Sequence, residues 1–193
     1  MLTVLLVLCL VALNGALQMA RMERDVSAYA SGGDANTLRL TLDRSRYDDP
    51  DMMLMAARGY GALAVRARQT PDRVQSMAAA QHYVTAALQA RPDSGEALVL
   101  SASIASLDDN GRAVESYAAS FRAAPYLRAE SLWRMKFGTM HWHELDHATQ
   151  TAMLREAAWV AEITPKDRMT VIAILGDTPA AVRFATDGAL HLD

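Results

Sequence analysis

The chain reads as all-α: an N-terminal apolar helix followed by a body of short helices packed in antiparallel pairs. Three observations carry this. Residues 2–20, LTVLLVLCLVALNGALQMA, contain no charge. From Asp51 onward, Ala-, Met- and Leu-rich segments alternate with Pro, Gly and Asp punctuation. Ser94 to Pro125 reads as two short amphipathic helices joined by the polar turn Leu107-Asp108-Asp109-Asn110-Gly111, with small residues where helices must pack closely. Apolar residues spaced for one helix face predict a buried stripe on each segment.

The apolar run is long enough to span a hydrocarbon core of ~30 Å at ~1.5 Å per residue. A cleaved signal peptide and a retained anchor are the two readings. The residues preceding the candidate cuts after Ala16 and Ala20 include Asn14 and Gln18, which suit cleavage poorly, so a retained anchor is expected. Arg21 and Arg24 follow the run and no basic residue precedes it. The positive-inside tendency alone would leave the body in the cytoplasm. Against that, a short N-terminal tail is readily kept inside while the rest is exported.

The organisation expected is therefore an anchor at 1–24, a linker at 25–50 broken by Ser31-Gly32-Gly33-Asp34 and Asp48-Asp49-Pro50, and a helical-repeat domain at 51–193. In the linker, Thr37 to Leu42 alternates apolar and polar residues; it reads as a short strand or as the start of a helix. Punctuation predicts helices over 51–68, 73–90, 95–106, 112–124, 127–137, 146–163, 165–175 and 179–186. Thr164-Pro165 and Thr178-Pro179 are caps followed by first-turn prolines.

Composition removes several function classes. The net charge is −3, and Arg is interspersed with Asp and Glu, so no basic face for nucleic acid is expected. The one cysteine, Cys9, permits neither an internal disulfide nor a cysteine zinc site. No glycine-rich phosphate loop is present, and Gly59-Tyr60-Gly61 reads as close helix packing.

Leu100, Ala113, Tyr117 and Pro125 make the Ser94–Pro125 stretch resemble a tetratricopeptide repeat, with Ala97, Ile104 and Ser120 fitting by size. The resemblance implies a small residue at the helix crossing, Ala113, and an aromatic, Tyr117, filling the groove toward the next unit. A poorer unit precedes it through Ala80, Ala87 and Pro92, with Val84 in place of the aromatic. Pro92 lies 33 residues before Pro125, close to the family's ~34-residue period. A third unit would close at Pro165, lengthened by Gly138 to Gln150. The resemblance covers about residues 51–165 and implies a protein-binding scaffold.

The C-terminal third also looks like small membrane-anchored repeat proteins of bacterial exopolysaccharide gene clusters. It does so through Pro125-Tyr126, Leu132-Trp133-Arg134, Trp142, Leu145, Arg155 to Trp159, Arg168 to Val171 and Thr178-Pro179. That resemblance implies an accessory role in polysaccharide synthesis or export at the inner membrane, single-pass, with a periplasmic body. Protein partners in a membrane complex, the bilayer through 2–20 and contact with polysaccharide come with it. No cofactor comes with it.

One motif points elsewhere. His143-Glu144-Leu145-Asp146-His147 spells a zinc-protease pattern: on a helix the two imidazoles face one way, with Glu144 as general base. His141 stands beside it. Against it, Asp146 is charged where a buried helix wants neutral residues. No third histidine follows, Glu156 and Glu162 are the only downstream carboxylates near, and the stretch falls where the repeat needs a turn. A polar turn anchored by Trp142 is expected, so no catalytic, metal or cofactor residue is assigned. A membrane-tethered zinc hydrolase stands as the alternative to a non-enzymatic scaffold. Trp133, Trp142 and Trp159 read as core aromatics, and Arg128, Arg134 and Arg155 as a solvated helix face.

Overall fold

The computed structural model describes the backbone over residues 2–45, 47–67, 70–108 and 111–187, and side chains between residues 12 and 186. Among the described residues there are ten α-helices and no strand; the protein is all-α. The chain divides into two compact units, Met1–Pro92 and Asp93–Asp193.

The first unit holds α1 (Leu2–Ala30), α2 (Ala35–Arg44), α3 (Pro50–Arg66) and α4 (Thr70–Ala90). Helix α1 packs on α2 and α3, and α3 packs along α4. The segment expected as a linker at 25–50 contains the end of α1 and the whole of α2. Thr37–Leu42 is helical: the Asp34 carboxylate accepts from Thr37 N at 3.0 Å as an N-cap. Leu38 and Leu42, one turn apart, are fully buried beside Met22, Tyr29, Met52, Ala56 and Leu63. Gly59 marks a close approach, since a Cβ there would stand 3.0 Å from Leu42 Cδ2 and 3.4 Å from Val26 Cγ2.

Helix α1 has two halves. From Met22 on, residues at helical spacing enter the core, whereas residues 12–17 are all exposed, Leu13 and Leu17 among them. Among the described residues no helix is long and apolar enough to cross a membrane. Residues 2–11, which hold most of the apolar run, lie outside those with described side chains. The structure thus lends the transmembrane expectation no support.

The second unit holds α5 (Gly95–Ser106), α6 (Arg112–Ala123), α7 (Ser131–Met140), a single 3₁₀ turn (Trp142–Glu144), α8 (His147–Ile163), α9 (Pro165–Leu175) and α10 (Pro179–Asp187). The Ser94 hydroxyl caps α5 by accepting from Ala97 N. Helices α5 and α6 form one pair, and their short connection makes them antiparallel. Small residues face one another across it: Ala97, Ser101, Ala105 and Ala113 are buried, and the Ser101 and Ser116 hydroxyls meet at 3.3 Å. Helices α7, α8 and α9 each pack on the other two, and α10 lies against α8 and α9. Tyr117 is the aromatic centre of the unit, packed on Phe121, Trp133 and Phe137. Trp142 is buried in the same core.

The α5–α6 crossing gives a direct test. Ala113 is 6 % exposed, while Ala118 is only partly buried. Ala113→Leu is expected to lower stability by ~1–3 kcal/mol through overpacking, with Ala118→Leu clearly milder. Urea denaturation of both variants checks the order.

Candidate docking groove

Helix α9 carries the clearest unsatisfied surface. Its sequence MTVIAIL is apolar nearly all round, the pattern of a helix covered on every side. Only Val171 and Leu175 are buried in the core. Met169 (65 % exposed) and Ile172 (52 %) face outward. Beside them runs α7, whose inner face, Ser131, Arg134, Met135, Phe137 and Gly138, is buried and whose outer row is Leu132 and Lys136. Between the two helices lies a groove of about 550 Å³ lined by Leu132, Lys136, Met169, Thr170, Ala173 and Ile174. The Thr170 hydroxyl donates to Lys166 O in its own helix. Lys136 is therefore the one charged group on the lining, and no carboxylate pairs with it among the described residues.

The groove's walls are i, i+4 rows: Leu132 with Lys136 on α7, Met169 with Ala173 and Thr170 with Ile174 on α9. Two such ridges enclose the kind of channel that receives the ridge of a third helix.

The α7 wall is held by a buried ionic network. Arg134 and Glu156 are both fully buried, and Arg134 Nη1 donates to Glu156 Oε1 at 2.8 Å. Arg134 Nη2 donates to Ser120 O at 2.6 Å and Ala124 O at 2.8 Å, carbonyls at the C-terminal end of α6. Its guanidinium also lies 4.1 Å over the Phe121 ring. Glu156 Oε1 additionally accepts from Leu127 N at 2.8 Å, while its Oε2 has no hydrogen-bond partner. Burial pushes the Glu156 carboxyl up from its ordinary value, and the Arg134 guanidinium and the Leu127 N–H hold it back. Burial likewise raises the Tyr117 phenol, whose hydroxyl donates to Arg134 O. Arg134 is thus not on the solvated face expected for it. Arg128 is at the surface, paired with Asp167 at 2.9 Å. Arg155 is exposed, as expected.

Comparison with known protein families, with curated proteins and with solved structures finds no match.

The histidine motif takes a shape of its own. His143 lies in the 3₁₀ turn, Leu145 is extended, Asp146 is the N-cap of α8, and His147 is that helix's first residue. The two imidazoles therefore do not share one helix face. The Asp146 carboxylate accepts from Thr149 N at 2.7 Å, which holds its carboxyl below the usual value. His141 Nδ1 pairs with Glu144 Oε1 at 2.9 Å and stacks on Phe137. His147 Nε2 lies 2.8 Å from Arg183 Nη2; since arginine only donates, that nitrogen accepts and its lone pair is engaged. Among the described residues no group of three metal-ligating side chains is assembled. This geometry gives the hydrolase alternative no support.

Leu132, Met169 and Thr170 were quoted from the sequence as part of a family pattern, but the groove they line with Lys136, Ala173 and Ile174 was not read as a site. The signal for it was present in α9: an eleven-residue helix too apolar for the two residues it buries.

Proposed function

We propose that this chain is a non-enzymatic, membrane-anchored scaffold that binds a protein partner through the α7–α9 groove. The observation that carries the reading is the apolar outer face of α9 beside Lys136, a channel shaped for one amphipathic helix with a carboxylate directed at the ammonium. The anchor is the apolar run at 2–20. Leu13 and Leu17, which sit on α1 ahead of its buried half, are exposed and continue its apolar surface. Stacked antiparallel helix pairs of the tetratricopeptide kind account for α3–α4 and α5–α6, each joined by a short connection. In this reading the body serves a bacterial inner-membrane complex of exopolysaccharide synthesis or export, with the body on the periplasmic side. That setting rests on the Trp- and Arg-containing pattern of the last helices.

The test is site-specific photocrosslinking from Ala173 in native membranes. A discrete protein adduct is expected, lost when Met169→Lys sets a second cation beside Lys136. Met169 is exposed, so this substitution should leave stability within about ±0.5 kcal/mol. Adducts to lipid alone, or a protein adduct unchanged by Met169→Lys, would remove the docking assignment.

A further inference from the structure

Helix α2 folds back beside α1 and encloses a second cleft, of about 330 Å³, between the C-terminal end of α2 and the middle of α1. Its lining includes Gln18 and Arg21 from α1 and Leu40, Thr41, Arg44 and Ser45 from α2 and its cap. Arg21 and Arg44 are exposed, and neither makes an ion pair or hydrogen bond among the described residues. The nearby acid on α1, Asp25, is engaged by the Thr41 hydroxyl at 2.5 Å. Arg39 and Arg91 in the same unit, by contrast, each hold a carboxylate. Two guanidiniums thus converge on one cleft with no counter-charge.

Their level along α1 is informative. Leu13, Leu17 and Arg21 form one i, i+4 stripe, in which the leucines are 57 % and 50 % exposed. On the anchor reading, that stripe passes from hydrocarbon to headgroup at Arg21. The Thr41–Asp25 bond sets α2 antiparallel to α1, so Arg44, nearly one turn beyond Thr41, returns to the level of Arg21. Leu40, 51 % exposed, adds an apolar wall to the same cleft. Forked guanidiniums match phosphate oxygens in geometry as well as charge. The Gln18 amide supplies a neutral donor beside them.

We propose that this cleft binds the phosphate of an anionic phospholipid headgroup, with Arg21 and Arg44 as its ligands. The inference rests on the membrane-anchor reading. The full chain is reconstituted in phosphatidylcholine nanodiscs with a minor fraction of phosphatidylglycerol, and retained lipid is measured by native mass spectrometry. The wild-type chain should hold phosphatidylglycerol, and Arg21→Gln/Arg44→Gln should hold it roughly thirtyfold more weakly. Arg24→Gln, on the same helix but outside the cleft, should change little. Equal losses for Arg21→Gln and Arg24→Gln would reduce the effect to diffuse charge attraction and overturn the site. So would disc-bound protein with no preference for phosphatidylglycerol, although the anchor would then stand. Inorganic phosphate that competes at the same affinity would overturn the lipid assignment in favour of a soluble ligand. Wild-type protein recovered outside the discs would overturn anchor and cleft together.

Discussion

Arg134→Met is expected to be the most damaging single substitution in the second unit, at roughly 3–5 kcal/mol. It leaves Glu156 charged and buried with Leu127 N as its only donor, and it strips a donor from both Ser120 O and Ala124 O. Glu156→Gln should cost less, because the amide oxygen still accepts from Leu127 N and Arg134. Arg134→Met/Glu156→Met should fall short of the sum of its single variants, since the second change removes the charge orphaned by the first. Denaturant unfolding of the four proteins checks the cycle. The pH dependence has a definite sign. The folded Glu156 carboxyl is raised above its ordinary value of 4.5. Its contribution relative to Glu156→Gln is therefore fully present below about 4.5 and is lost as pH rises through the folded value. A wild-type advantage that instead grew with pH would contradict the desolvation argument.

Gly138→Ala is the second large effect. Gly138 sits inside α7, where alanine would ordinarily gain ~1 kcal/mol in helix propensity. Here an added Cβ would overlap Met153 Sδ and Tyr117 Oη, both in the sealed core. Tyr117 cannot swing aside without breaking its 2.9 Å bond to Arg134 O. Overpacking of this kind typically costs ~1–3 kcal/mol; for a chain of this size each kcal/mol lowers the melting temperature by about 2–4 °C. Gly111→Ala, where nothing stands within 4 Å of the new Cβ, is the matched control and should melt close to wild type.

These two sites show where sequence reading ends. The helices were legible because their termini are written locally. Gly95–Ser106 and Pro165–Leu175 are where the Ser94 and Thr164 caps and their neighbours set them. Helix α7 was not: a start at Leu127 was expected, and it begins at Ser131. No side-chain cap opens α7; its start follows a turn in which Leu127 N is held by Glu156 from α8. Thr37–Leu42 satisfied both periodicities over six residues, and burial of Leu38 and Leu42 decided for the helix. Arg134 looked like an ordinary surface charge, and Glu156 was weighed only as a distant carboxylate for the histidine motif, because nothing local distinguishes a paired, buried arginine from a solvated one. The histidine motif failed in the opposite way. Its spacing is right for zinc, but a helix beginning at His147 cannot also hold His143.

The Arg134 guanidinium has one more consequence. Because it closes the end of α6 from the next helix along, the second unit is not modular. A stack of self-sufficient repeats tolerates being cut between one pair and the next. A chain ending at Pro125 would keep α5 and α6 whole in sequence, yet lose the side chain that donates to the carbonyls of Ser120 and Ala124. Evolution or design that lengthened or shortened this body would have to move α6, α7 and α8 as a single indivisible block.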